Sequence, residues 1–434
     1  MTSVKVIGAG LAGSEAAWQL AQRGIAVTLY EMKPHKKSPA HHSDSFAELV
    51  CSNSFRGDRL ENAVGLLKEE LRRCGSLILQ CAEQTRVEAG GCLAVDREGF
   101  GALVTEKLRS HPNVTVVSEE VTEVPEGPVI IATGPLTSDA MSEAIGRYFG
   151  EDYLHFFDAA APLVTAESVD MELAWWQSRY DRGTPDYVNC AMDKQQYEAF
   201  VEALIHAEEA EVHGFEDKNV FEGCMPVEVM ARRGVDTLRY GPLKPVGLID
   251  PNTGKEPYAV VQLRQDNAAK SVYNLVGFQT HLKFPEQKRV FSMIPALRNA
   301  EYVRYGVMHR NTFLQSPRLL DRYYADRRNP LVAFAGQMTG VEGYVESAAS
   351  GFLAAVAMAA KLQNRPIPDF PKETAIGALG LYISDPSIEN FQPMNVNFSI
   401  IEPLQQRIRK KAEKNLAIAN RSLGIIDAMV EAGI

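Results

Sequence analysis

Apolar and polar positions along this chain fall into blocks that switch between a two-residue and a 3.6-residue period. Val4-Lys5-Val6-Ile7 reads as a buried strand, the stretch after Gly13 as an apolar helix, and Ile25-Ala26-Val27-Thr28-Leu29-Tyr30 as a second strand. Leu60 to Cys74 sets Val64, Leu66, Leu67 and Leu71 at helical spacing, and Gly75 stops the helix. Gly99 to Leu108 repeats that pattern. Val114-Thr115-Val116-Val117 and Val129-Ile130-Ile131-Ala132 are short runs rich in β-branched residues, the second leading into Thr133-Gly134-Pro135. Alternation of strand and helix in this manner predicts a parallel sheet covered by helices.

From about residue 155 to 325 the character changes. A helical pattern over Asp193 to Ala210 mixes with strand-like runs at 258–263 and 272–276, and the tryptophans Trp175 and Trp176 sit here. The buried-strand pattern resumes at Leu331-Val332-Ala333-Phe334-Ala335-Gly336-Gln337, followed by Gly340, Gly343-Tyr344 and an Ala-rich helix to Leu362.

The first turn carries the chemistry. In Gly8-Ala9-Gly10-Leu11-Ala12-Gly13, Gly8 makes the tight turn after the strand, Gly10 lets a pyrophosphate approach the backbone, and Gly13 lets helix and strand pack closely. Free N–H groups at the helix start then face the phosphates. Glu31, at the end of the second strand, is placed to accept both hydroxyls of an adenosine ribose. These features predict FAD or NAD binding. The Ala132-Thr133-Gly134 turn resembles one in two-dinucleotide-type flavoproteins, close to the adenosine-pyrophosphate end. The stretch from Gly336 and Gln337 through Gly343 resembles their returning FAD segment, where a helix N-terminus faces the flavin. The expected fold class is α/β, with a Rossmann-like FAD-binding domain, discontinuous over 1–155 and 326–434, and an inserted α+β domain over 156–325. No second glycine fingerprint occurs in the insertion.

Composition adds exclusions. With 434 residues, 45% hydrophobic and 23% charged, the chain has an ordinary globular composition with room for two or three domains. No run of 18 apolar residues is found, and the first strand begins by about residue 4, so neither a membrane span nor a signal peptide is expected, and the expected location is cytoplasmic. A net charge of −10 counts against nucleic acid as a partner. The charge is uneven, however. His281 to Arg328 holds ten Lys/Arg against four acids, and Arg407, Arg409, Lys410, Lys411, Lys414 and Arg421 crowd an expected helical segment with Glu413 between them. By charge alone these are either a solvated face or a polyanion site.

Six cysteines lack any Cys-x-x-Cys spacing, which argues against structural zinc and a redox pair. His35, His41 and His42 lie near Asp44 without supporting ligands, and no metal is assigned. Two cysteines stand apart by their neighbours. Cys51 lies in Glu48-Leu49-Val50-Cys51-Ser52-Asn53-Ser54-Phe55-Arg56, a polar loop after the first βαβ unit. Cys224 lies in Phe221-Glu222-Gly223-Cys224-Met225-Pro226, followed by Arg232-Arg233. The residues alone leave each as either a reactive thiol or inert packing.

Taken with the Gly8–Gly13 fingerprint and Glu31, these two cysteine motifs and Gly336-Gln337-Met338-Thr339-Gly340-Val341-Glu342-Gly343-Tyr344 resemble the folate- and FAD-dependent tRNA uracil-5-methyltransferases of bacteria, over nearly the whole chain. Those enzymes form ribothymidine in the T-loop. They are related to a larger flavin enzyme that modifies wobble uridines, whose extra C-terminal region is not expected in 434 residues. The resemblance implies methylenetetrahydrofolate as one-carbon donor, NAD(P)H as reductant and tRNA as partner. It also implies Cys224 as the thiol adding to C6 of uracil, Cys51 as the base that removes the C5 proton, and Tyr344 as an active-site aromatic. Because either thiol suits either role, the two assignments are interchangeable. His281 offers a ring able to stack on a pterin, or equally a satisfied loop histidine. An FAD-dependent oxidoreductase acting on a small molecule is the alternative, favoured by the acidic charge and disfavoured by the cysteine motifs.

Overall fold

A computed structural model describes residues 3–38, 40–150, 154–159, 161–210, 225–267, 269–306, 308–388 and 391–434. Its first sheet has five strands, in spatial order Val332–Phe334, Val129–Ile131, Ser3–Ile7, Ala26–Glu31 and Val114–Ser118. All neighbouring pairs are parallel. The order reverses between Ser3–Ile7 and Val129–Ile131, and a doubly wound sheet offers its ligand crevice at such a point, beyond the carboxyl ends of the strands.

The helices Leu11–Gln22 and Tyr344–Leu362 follow the strands Ser3–Ile7 and Val332–Phe334, so both begin at that carboxyl edge. They pack against each other through small residues. A Cβ on Gly351 would collide with the backbone of Ala12, and one on Gly13 with the carbonyl of Gly8. Among the described residues, Tyr344–Leu362 is the one helix long and apolar enough to cross a membrane, and 89% of that stretch is buried inside the protein. The apolar run sought in the sequence is therefore present in relaxed form, interrupted by Glu346 and Lys361, and serves as a core helix.

The second sheet has six strands, in the order Ala174–Trp176, Tyr187–Met192, Ala259–Gln265, Val272–Leu275, Leu163–Thr165 and Tyr302–Arg304, all antiparallel. The helix Lys194–Ile205 covers it, started by a reciprocal cap in which Asp193 and Gln196 bond each other's backbone N–H. Its apolar core runs from Ala161 to Ala300 and is separate from the core of the first sheet. Phe313, Leu314, Leu320, Tyr324 and Ala325 belong to the first core, so the chain returns to it before the expected boundary at 326.

A three-stranded antiparallel sheet, Ser54–Gly57, Cys92–Val95 and Arg86–Val87, stands beside the parallel one. At the far end of the chain the helix Lys411–Glu431 starts later than the charge pattern suggests. Arg407, Arg409 and Lys410 precede it in non-helical chain.

Candidate active site

At the carboxyl edge of the parallel sheet, a narrow cleft of about 90 Å³ is lined by Gly8, Gly10, Glu31, Lys33, His41 and Thr133, among others. Each fingerprint glycine has its own reason. Gly8 has φ +96° and its Cβ would stand 2.7 Å from the carbonyl of Ala132, whereas nothing lies within 4 Å of a Cβ on Gly10. That open space above Gly10 is what a pyrophosphate needs. The helix Leu11–Gln22 has no side-chain cap, and its backbone ladder starts with Ser14 N–H to Gly10, leaving the preceding N–H groups directed at the cleft. Glu31 is 7% exposed and accepts from the N–H of Ala9 at 2.8 Å and of Lys33 at 3.1 Å, so its carboxylate is fixed at the cleft wall. The residues present fit a dinucleotide.

Gly134, at φ +73°, directly follows Thr133 of the lining, with open space around it. Lys33 and His41 were not legible as cleft residues. Burial and then Lys33 hold the His41 imidazole below its ordinary value, and His41 Nδ1 lies 2.7 Å from Ser38 Oγ.

The returning segment lies against the fingerprint helix, a Cβ on Gly336 standing 3.2 Å from that of Ala12, but Gly336, Gln337 and Gly343 are not among the residues that line the cleft. Gly336 has φ +87°, with its N–H donating to Ser350 Oγ at 2.7 Å, and Gln337 donates to Glu342. Gly343 has φ +113° and opens the helix Tyr344–Leu362, again with no side-chain cap.

From the cleft wall at Ala47 and Glu48 the chain runs straight to Cys51. Tyr344 meets it there. Its Oη accepts from the backbone N–H of Cys51 and of Ser52, each at 3.0 Å. Burial first, then Cys51, pushes the Tyr344 hydroxyl well above the ordinary tyrosine range, while Arg97 pulls the other way. The phenol therefore stays protonated.

Further side chains hold this loop, and all of them but Asn53 lie outside the sequence motifs. Lys68, its side chain fully buried, donates to the carbonyls of Phe55, Arg56 and Gly57 at 3.0, 3.0 and 2.9 Å. Burial, opposed by Asp58, lowers its amine to about 8. Arg264, from the second sheet, donates to Ser52 Oγ at 2.7 Å and Asn53 Oδ1 at 3.3 Å. Asn53 donates to Val95 and Gln265 carbonyls. Arg97 bonds the Leu49 carbonyl and pairs with Asp266. Arg304 lies in electrostatic reach of Arg97, Asp266, Tyr344 and Cys51, yet its Nε and Nη2 are buried without a partner among the described residues.

Cys224 lies outside the described residues; the described chain resumes at Met225. Glu228, in the helix Val227–Arg232, accepts from the His281 N–H at 2.8 Å and from the Thr280 hydroxyl at 2.9 Å. The motif's tail is thereby anchored on the His281 loop. His281 itself is 2% exposed, with Nδ1 2.7 Å from Glu228 and Nε2 2.8 Å from Glu209. Stacking on a pterin requires this enclosed ring to be uncovered.

Comparison with known proteins places the chain. Residues 3–366 match the family described as "Glucose inhibited division protein A". The protein is similar to "Methylenetetrahydrofolate--tRNA-(uracil-5-)-methyltransferase TrmFO" of Acetivibrio thermocellus, 61% identical over 428 residues and covering 98% of both chains. Its Listeria monocytogenes counterpart of the same name is 57% identical over 429 residues, covering 99% of each. Among solved structures, Aquifex aeolicus GidA superposes with a TM-score of 0.72 over 98% of this chain and 72% of that one, at 14% identity, a likeness of fold. The chain therefore belongs to the Glucose inhibited division protein A family, as a member of its TrmFO group.

Proposed function

We propose that this protein methylates C5 of a uracil in the tRNA T-loop, giving ribothymidine, with methylenetetrahydrofolate as the one-carbon donor and NAD(P)H as the reductant. The observation that carries this reading is the loop joining the dinucleotide cleft to Cys51 and docking on Tyr344, in a chain 61% identical to a named methyltransferase. FAD, when bound in the cleft, supplies the redox chemistry of one-carbon transfer. Gly8, Gly10, Gly13, Glu31 and Gly134 would hold its adenosine and pyrophosphate, and Gly336, Gln337 and Gly343 its ring side.

Uracil C5 is a poor nucleophile until a thiolate adds at C6, which turns the ring into an enolate reactive at C5. After one-carbon attachment a base removes the C5 proton, and the thiol leaves. We assign the addition to Cys224 and the proton removal to Cys51. Tyr344 holds the Cys51 loop in place. Residues 156–325 are read as the substrate-side insertion and 1–155 with 326–434 as the cofactor domain, a division supported by two separate apolar cores. The reaction is assigned to the cytoplasm, where its substrates meet.

The test is direct. Purified protein is incubated with unmodified tRNA, methylenetetrahydrofolate, NADPH and FAD, and nucleosides are analysed for ribothymidine. Its formation is expected. Flavin turnover without ribothymidine would sink the proposal.

A further inference from the structure

Some basic side chains of the two charged segments are paired within the protein and others are not. Between His281 and Arg328, Lys283 pairs with Glu208, Arg289 with Glu286, Arg322 with Asp369 and Arg328 with Asp326. Near the C-terminus, Arg407, Arg409, Lys411 and Lys414 are exposed, and none has an ion-pair or side-chain hydrogen-bond partner among the described residues. All four line one open cleft of about 1050 Å³, together with Arg56 and a single acid, Glu61. Four exposed cations without protein partners among the described residues, gathered on a protein of net charge −10, make a local positive field that draws an anion to this cleft.

The cleft is wired to the catalytic loop. Its wall residue Val396 donates its N–H to Glu346 at 2.9 Å, and Glu346, fully buried one half-turn beyond Tyr344, is paired with Arg56. Arg56 in turn lies on the strand Ser54–Gly57 that continues the Cys51 loop. The cleft floor is therefore bonded to the two segments that meet at Tyr344 and Cys51.

We infer that this cleft is the site for the RNA phosphodiester backbone, binding the substrate's phosphates through Arg407, Arg409, Lys411 and Lys414 and leading it to Cys51. This rests on the methyltransferase reading above and deepens it. The cations are spread along an exposed loop and the first turn of the helix Lys411–Glu431, a geometry that follows a chain of phosphates. A small anion would call for a compact set of enclosed donors instead. Asn62, Asn397 and Ser399 add neutral polar groups suited to phosphate and ribose oxygens.

The experiment compares the wild-type protein with a variant carrying Arg407→Gln, Arg409→Gln, Lys411→Gln and Lys414→Gln, all at exposed positions. Flavin absorbance and circular dichroism report its folding. The affinity for an unmodified tRNA transcript is measured across salt concentrations, beside tRNA KM and kcat. The Kd and KM for tRNA are expected to rise at least tenfold, with kcat at saturating tRNA within about twofold and the salt slope shallower by about 3, at roughly 0.7–0.9 per phosphate contact. A second variant, Arg407→Lys with Arg409→Lys, is expected to keep the wild-type slope. An unchanged tRNA affinity and slope would overturn the inference, as would RNA binding untouched while adhesion to anionic lipid vesicles is lost. A wild-type protein that binds tRNA through these residues yet forms no ribothymidine would refute the methyltransferase reading and leave the cleft assignment standing.

Discussion

Arg97 and Asp266 are 169 positions apart and meet as a two-pronged ion pair, with Nε to Oδ2 at 3.1 Å and Nη2 to Oδ1 at 2.9 Å, while the third arm of Arg97 bonds the Leu49 carbonyl. The side chains are 13% and 6% exposed. Asp266→Ala strands a buried guanidinium and is expected to cost about 3–5 kcal/mol, read as a fall in melting temperature. Because Arg97 steadies the Cys51 loop, Arg97→Met with Asp266→Leu should recover much of the stability without recovering methylation. Recovery of both would show that the pair is structural only.

Tyr344→Phe removes the single oxygen that accepts both loop N–H groups. Leaving a part-buried donor without an acceptor costs at most about 1–3 kcal/mol, expressed here as disorder of the Cys51 loop. Methylation kcat is expected to fall at least tenfold with the FAD content of the protein unchanged. A normal kcat would mean that the loop keeps its place without the phenol.

How much of this was legible in the chain follows from distance. The fingerprint Gly8, Gly10 and Gly13 is local, and three glycines at fixed spacing encode a turn, an approach and a packing contact that the structure shows separately. The contact of Tyr344 with Cys51 joins positions 293 apart, and both residues were found only through the motifs around them. Arg97, Arg264, Asp266 and Lys68 carry no motif at all. The meaning of the first three arises when the second sheet lays its strand Ala259–Gln265 beside the loop, and that of Lys68 when the helix Ala63–Arg73 packs on the strand Ser54–Gly57, neither of which any periodicity foretells. The basic C-terminal residues were visible as charge, but a count of charges does not show that the helix starts at Lys411 or that the four cleft cations lack partners.

Arg304 gives a prediction of opposite sign for stability and function. Burial, and then the like charge of Arg97, presses its guanidinium below the ordinary arginine range, and two of its nitrogens find no acceptor among the described residues. An unsatisfied buried cation is costly in the free protein and useful when an electron-rich substrate arrives. Arg304→Met is expected to raise the melting temperature while lowering kcat/KM for methylation by at least tenfold. Calorimetry and steady-state kinetics on the same preparation check it, and a variant that is both less stable and fully active contradicts it.

The helices Leu11–Gln22 and Tyr344–Leu362 are in close contact, and the first of them starts from Gly10 of the cofactor cleft. Gly351→Ala drives a methyl group into the Ala12 backbone, an overpacking worth about 1–3 kcal/mol. The helices must separate, and the FAD-to-protein absorbance ratio of the purified variant should drop. Gly424→Ala is the control, since nothing lies within 4 Å of its Cβ in the exposed part of the last helix. That substitution should raise stability slightly, by up to about 1 kcal/mol, and leave the ratio alone.

Glu70 makes stability depend on pH in a window that can be stated in advance. It is fully buried, accepting from the N–H groups of Ala375 and Ile376 at 2.7 and 2.9 Å and from the Ser422 hydroxyl, and so ties the helices Ala63–Arg73, Ala375–Ile383 and Lys411–Glu431 together. Burial pushes its carboxyl up to about 7 from 4.5, against hydrogen bonds that favour the ionised form. Between those values the folded protein holds the extra proton, so unfolding free energy falls as pH rises through the window. The loss is absent below pH 4.5, complete above about 7, and amounts to about 3 kcal/mol. Glu70→Gln cannot titrate. Its stability relative to the wild type should therefore improve by about that amount between pH 5 and pH 8, measured by denaturant unfolding at both. A difference that stays constant across the two conditions would mean that the three donors hold the carboxylate ionised throughout.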